Sequence, residues 1–215
     1  LNGSLTSAAV FNFESNDSLS IRVQVKDEFN ATTEGNFTVS ISNVNEAPII
    51  TQGPGPLSLT VSEDSSLSYD LNATDVDAGS TLTWSIAGSA SNGTASIDSS
   101  TGVFTYSPNA DFNGSDSATV NVSDSELSAS LLINLTVTPV NDAPVITQGN
   151  GPLSYSLNED SNFTFELNAT DLEGDTLTWS TGSDPSNGTV TVTAGTGMVA
   201  YVPAANFEGN DSLSL

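Results

Sequence analysis

The chain has no cysteine and no histidine, and it carries one lysine (Lys26), one arginine (Arg22) and one methionine in 215 residues. Without cysteine there are no disulfides and no thiol chemistry. Without histidine a serine nucleophile lacks its usual base, so an enzyme has little to work with here. Two basic residues against 26 acidic ones give a formal net charge of -24. Nothing could neutralise phosphates, which argues against a nucleic-acid partner. The same sign argues against direct attraction to an anionic membrane surface. No apolar run is long enough to span a bilayer, so no direct membrane insertion is expected. No secretory signal pattern is visible in these residues either. The charge favours a cationic partner, of which a divalent metal is the simplest. The alternative is that the acids only keep a surface soluble.

What the chain does have is a repeat of about 96 residues. Thr51-Gln52-Gly53 returns as Thr147-Gln148-Gly149, and Leu71-Asn72-Ala73-Thr74-Asp75 as Leu167-Asn168-Ala169-Thr170-Asp171. Thr81-Leu82-Thr83-Trp84-Ser85 returns as Thr176-Leu177-Thr178-Trp179-Ser180. Asn45-Glu46-Ala47-Pro48 returns as Asn141-Asp142-Ala143-Pro144. Asn16-Asp17-Ser18-Leu19-Ser20-Ile21 matches Asn210-Asp211-Ser212-Leu213-Ser214-Leu215. Residues 1–46 therefore read as the C-terminal half of a first repeat. Residues 47–142 read as a complete second repeat, and 143–215 as a third without its last strands. The expectation is a window on a longer array. The alternative is a subunit whose open end is completed by strands of an identical one, giving a filament.

Helical periodicity is weak and strand alternation is strong. Leu131, Ile133, Leu135 and Val137 share one face of an alternating run. The second repeat reads as seven strands near 56–61, 66–72, 81–87, 94–97, 102–106, 117–123 and 129–138. Gly, Asn, Asp, Ser and Pro clusters separate them. The fold expected is all-β: tandem antiparallel seven-stranded β-sandwiches. Trp84 and Trp179 fall in alternating strands and read as core plugs between sheets.

The acids of the second repeat fall at strand ends: Glu63-Asp64, Asp75-Val76-Asp77, Asp111 with Asp116, and Asp124. Like charges crowded at one end of a sandwich repel unless something binds them. A hard cation taking several oxygens is the natural remedy, and Ca²⁺ suits such ligands best. Corresponding groups in successive repeats make the signal stronger than any lone Asp-x-Asp turn.

At this point the residues resemble the cadherin family. Phe11-Asn12-Phe13-Glu14 and the run Ser18 to Asp27 are similar to the late half of a cadherin repeat. The exit Asn43-Val44-Asn45-Glu46-Ala47-Pro48 resembles the cadherin linker, usually Asp-x-Asn-Asp-Asn-x-Pro. The second and third repeats resemble the cadherin-like repeats of giant microbial surface proteins. They share Val-Asn-Asp-Ala-Pro-Val-Ile, an Asn-Glu-Asp start and a Phe-x-Gly-x-Asp-Ser turn. The resemblance implies calcium at the joints between domains. At the first joint it implies ligation by Glu14, Asn45, Glu46, Asp75, Asp77 and Asp124. At the second it implies Glu63, Asp111, Asn141, Asp142, Asp171 and Glu173. Departures at Asn12, Asn43, Asn113 and Pro139 each remove a charged ligand, so about one or two ions per joint are implied rather than a full set.

Sequons begin at Asn2, Asn16, Asn30, Asn36, Asn72, Asn92, Asn113, Asn121, Asn134, Asn162, Asn168, Asn187 and Asn210. One reading is a heavily glycosylated surface protein. The other is that Asn- and Ser/Thr-rich strands generate sequons without use. The functional expectation is a non-enzymatic segment of a large extracellular, cell-surface protein. It would be a calcium-stiffened rod or filament unit contacting neighbouring repeats and, in a filament, identical subunits. The rival is a lectin-like or protein-binding module with a surface glycan or protein as ligand. That rival predicts an exposed aromatic patch in one repeat, and the sequences of the second and third repeats show none.

Overall fold

The computed structural model describes residues 10–215, and the sequon at Asn2 lies outside them. Among the described residues there are strands and no helix. The chain divides into two compact units, Leu1–Val140 and Asn141–Leu215.

The first unit opens with a hairpin of β1 (Ser18–Lys26) and β2 (Thr32–Ser40), paired antiparallel from Ser18↔Ser40 to Lys26↔Thr32. Arg22 and Lys26 both lie on β1. The hairpin forms a two-stranded sheet of its own, and Val23, Val25, Phe37 and Val39 are exposed.

The second repeat follows as β3 (Ile49–Ile50), β4 (Leu57–Ser62), β5 (Leu67–Asp70), β6 (Ala73–Thr74), β7 (Thr83–Gly88), β8 (Gly93–Ile97), β9 (Val103–Pro108), β10 (Gly114–Ser123) and β11 (Ser128–Thr138). One sheet has the order β4-β11-β10-β7 and another the order β5-β9-β8. Alternation sends Val120, Val122, Leu131, Ile133, Leu135 and Val137 inward against Phe104 and Tyr106, all nearly fully buried. Trp84 is 5% exposed within this core, as its alternating strand implied. The outward positions of the larger sheet are uncharged: Ser58, Thr60, Ser117, Thr119, Asn121, Asn134 and Thr136 among them. The acids are thereby confined to the strand ends.

One pair departs from the antiparallel expectation. β4 and β11 run parallel, from Ile133↔Leu57 to Thr138↔Ser62. Neighbouring parallel strands need a long crossover, and here the rest of the sandwich supplies it.

The repeated motifs bond to one another. Gln52, which follows β3, accepts from Asn72 N–H through Oε1 and donates from Nε2 to the Asp70 carbonyl. Gln148 does the same with Asn168 and Glu166 in the second unit. Gly102 sits at φ +74, and a Cβ there would lie 2.9 Å from Trp84 Nε1. Gly197, at φ +68, stands in the same relation to Trp179.

The second unit contains β12 (Val145–Ile146), β13 (Phe163–Glu166), β14 (Ala169–Thr170), β15 (Gly188–Val192) and β16 (Met198–Pro203). β12 pairs with β14, and β13-β16-β15 form a three-stranded sheet. Leu167, Val199 and Tyr201 are buried. A groove of about 850 Å³ opens on the apolar side of this sheet, lined by Leu153, Tyr155, Phe163 and Phe165. Tyr155 lies 4.8 Å from both Phe163 and Phe165 between ring centroids, and it is 49% exposed. The sequence had suggested no exposed aromatic patch. The trio was hidden because its counterparts, Leu59 on β4 and Leu67 and Tyr69 on β5, pack against the core in the second repeat.

Candidate metal centre

At the first joint the linker 43–48 runs past the loop after β6 and the turn between β10 and β11. Pro48 is buried and, having no N–H, fixes the crossing. Carboxylate oxygens of Glu14, Glu46 and Asp77 lie within 4.8 Å of one another. Glu14 and Glu46 are exposed and Asp77 is half-buried. Asp75 Oδ1 accepts the Asp77 N–H at 2.8 Å, whereas its Oδ2 is buried with no hydrogen-bond partner. Asp124 Oδ1 accepts the N–H groups of Glu126 and Leu127, each at 2.7 Å, and its Oδ2 accepts from Asn45 Nδ2 at 2.9 Å. Asp77 accepts from Asn43 Nδ2 at 2.7 Å and from Glu46 N–H at 2.9 Å. All six sequence-predicted residues of this joint therefore lie in one connected cluster. Asn43, flagged in sequence only as a lost ligand, turns out to be a donor to it.

The electrostatics follow from these contacts. Desolvation first, then the charges of Glu14, Asp77 and Asp75, push the Glu46 carboxyl above its usual range. The Asn43 amide, then the Glu46 N–H, hold Asp77 below its range against desolvation and the charge of Asp124. Asp124 is likewise lowered, chiefly by the Leu127 N–H and then by Asn45. A raised carboxyl, an unpartnered buried oxygen and several further oxygens fit a hard cation. The uncharged amide oxygen of Asn45 is a suitable further donor.

The residues assigned to the second joint fall on both units. In the first, Glu63 is 1% exposed and accepts from the Val140 N–H and from Asn113 Nδ2. Asp64 and Asp111 have positive φ of 58 and 59 and place carboxylate oxygens within 4.8 Å of each other. Asp64 was not among the expected ligands, although its place next to Glu63 could have suggested it. In the second unit the Asp142 N–H donates to Glu173 Oε2, as Glu46 N–H does to Asp77. Asn141 Nδ2 donates to the Asp142 carbonyl, and Asp171 Oδ1 accepts from the Asp175 N–H.

Asp116 belongs to none of this. It accepts from the N–H groups of Ser91, Asn92 and Ser117 and from the Tyr106 hydroxyl. Asp211 repeats the arrangement with Ser186, Asn187, Ser212 and Tyr201. Burial alone would raise both carboxyls, but these hydrogen bonds outweigh it and both end up lowered. The Phe-x-Gly-x-Asp-Ser turn is therefore a structural latch.

Residues 45–139 match the family model of the bacterial cadherin-like domain. Over those residues the second repeat is similar to that family. Residues 141–215 match the bacterial Ig domain. Cadherin-like and Ig-like domains are adhesive and structural folds, not enzymes. A comparison with curated proteins finds no match. Among solved structures, human CDH23 EC21-23 superposes with a TM-score of 0.55 at 17% identity, covering 92% of this chain and 67% of that one. Mouse Protocadherin-24 EC1-3 gives 0.53 at 16%, covering 92% and 70%. Mouse Cadherin-23 EC22-24 gives 0.52 at 19%, covering 93% and 69%. At such identities the likeness is one of fold. The chain spans 38% of the protocadherin GammaB4 extracellular domain and 55% of protocadherin Gamma B2 domains 3-6. Among the described residues, no helix is long and apolar enough to cross a membrane.

Proposed function

We propose that this chain is a segment of an extracellular surface protein whose repeats, divided near 46 and 142, are stiffened by calcium at their joints. The observation that carries this reading is the Glu14, Glu46 and Asp77 cluster within 4.8 Å, beside the unpartnered Asp75 Oδ2. Glu14, Asn45, Glu46, Asp75, Asp77 and Asp124 would hold the ion at the first joint. Glu63, Asp111, Asn141, Asp142, Asp171 and Glu173 are proposed for the second. When bound, the ion supplies positive charge that cancels the repulsion among these acids. Affinity in the range of extracellular modules, about 0.1–1 mM, is expected. The sequons with exposed side chains, such as Asn134, are the proposed places for sugar; Asn113 is a poor one because its amide binds Glu63. The test is a thermal melt with small-angle scattering in calcium and in chelator. A higher melting temperature and a longer, straighter particle in calcium support the reading. No change in either rejects it.

A further inference from the structure

We propose that the first joint is held without any ion by an amide clamp, in which Asn43 and Asn45 of the linker grip Asp77 and Asp124 of the second repeat. This inference does not rest on the calcium reading. The linker stretch before Pro48 offers two side-chain amides, at 43 and 45, and each donates from Nδ2 to a different carboxylate. Asn43 bonds Asp77 Oδ1 at 2.7 Å, and Asn45 bonds Asp124 Oδ2 at 2.9 Å. Between them the Glu46 N–H bonds the other oxygen of Asp77 at 2.9 Å. Asp77 is therefore gripped on both oxygens by the linker. Asp124 is gripped on one oxygen by the linker and on the other by its own turn.

The chemistry of position 43 is decisive. An aspartate there would face Asp77 with a second negative charge, and only a cation could reconcile the two. Asparagine has nearly the same shape, carries no charge and presents N–H donors. A hydrogen bond to an ionised acceptor is stronger than one between neutral groups. The substitution thus replaces a demand for metal with a direct bond. At the matching place before the second linker the chain has Pro139, which offers no amide at all. The clamp is a property of the first joint.

Two consequences distinguish this from a joint organised by the ion. The linker stays seated on the second repeat in chelator. Asn43→Asp makes that seating conditional on calcium. The chain has no cysteine, so spin labels can be placed at Ser20→Cys on β1 and Ser58→Cys on β4, both exposed. The distance distribution between them, measured by pulsed electron resonance, reads the joint directly. In chelator the parent chain is expected to give a narrower distribution than either position-43 variant, and calcium narrows it further. Asn43→Ala should raise the loosened population about fivefold for its lost hydrogen bond. Asn43→Asp should broaden the distribution further, and millimolar calcium should narrow it again. Trp84 is buried, and its fluorescence, read in a Trp179→Phe background, confirms that each variant has folded. A parent distribution as broad in chelator as that of Asn43→Asp overturns the clamp, and so does an Asn43→Asp distribution as narrow as the parent's. If calcium changes none of the distributions, the calcium reading fails, while the chelator data still decide the clamp.

Discussion

Tyr106 donates its hydroxyl to Asp116 Oδ2 over 2.9 Å, and the two lie ten positions apart in the chain. The bond ties β9 to the start of β10, while three backbone N–H groups fix the same carboxylate from other directions. Tyr201 and Asp211 reproduce it at 3.0 Å. Tyr106→Phe is expected to cost about 1 kcal/mol, one hydrogen bond. Asp116→Ala should cost about 3 kcal/mol, since it strips an acceptor from several donors at once. Urea melts of both and of the double variant should be clearly non-additive. Additive losses would mean that the two side chains act separately.

The pH dependence has a definite sign. Asp116 and Asp211 have folded-state values below the ordinary 3.8. Carboxyls lowered by folding contribute stability that is present above the unfolded value and is lost as pH falls through the folded one. Stability should therefore be flat near neutrality and decline below about pH 4. Asp116→Asn should lower the plateau and flatten the acid limb in a series of thermal melts from pH 7 to pH 2.

Gly102 and Gly53 separate strain from space. Both have positive φ, +74 and +100, but a Cβ at Gly53 meets nothing within 4 Å, whereas one at Gly102 would lie 2.5 Å from the Leu71 carbonyl oxygen and 2.9 Å from Trp84 Nε1. Gly53→Ala should cost about 1–2 kcal/mol, from backbone strain alone. Gly102→Ala should cost about 3 kcal/mol or more and shift the Trp84 fluorescence. Equal losses would mean that the contacts with the Leu71 carbonyl and the indole count for nothing.

Without a bound cation the joint acids repel through solvent, and simple salt should ease that repulsion. In chelator, raising sodium chloride from about 0.01 to 0.15 M shortens the screening length from roughly 30 to 8 Å. The melting temperature is expected to rise with salt in the parent chain. The rise should shrink in Glu14→Gln combined with Glu46→Gln. A salt response unchanged by that pair would place the repulsion elsewhere.

Much of the fold was legible because alternation in a strand is a property of neighbouring residues. Leu131 to Val137 and Val120-Asn121-Val122 declared their buried faces directly. The joint acids were legible by recurrence. Other features depend on three dimensions. Nothing in the sequence of β4 and β11 says that they lie side by side in parallel. The separation of Asp116 from the joint acids was also invisible, because its partner Tyr106 lies on another strand. Asn43 read as a missing ligand because the sequence shows a lost charge and not the direction of an amide. The Tyr155, Phe163 and Phe165 cluster was missed because its three residues come together only when the chain folds.

The parallel pair also determines how the second repeat answers to force. β4 is the first long strand of that repeat and β11 the last, and they are adjacent through six register pairs from Leu57↔Ile133 to Ser62↔Thr138. Tension applied to the two ends of the repeat pulls these strands in opposite directions along their length. The inter-strand hydrogen bonds are then loaded in shear, all together, rather than peeled open one after another. Single-molecule extension should show this repeat yielding in one abrupt event. The Glu63 N–H, which donates to the Thr138 carbonyl at 2.9 Å, extends the sheared ladder by one further bond.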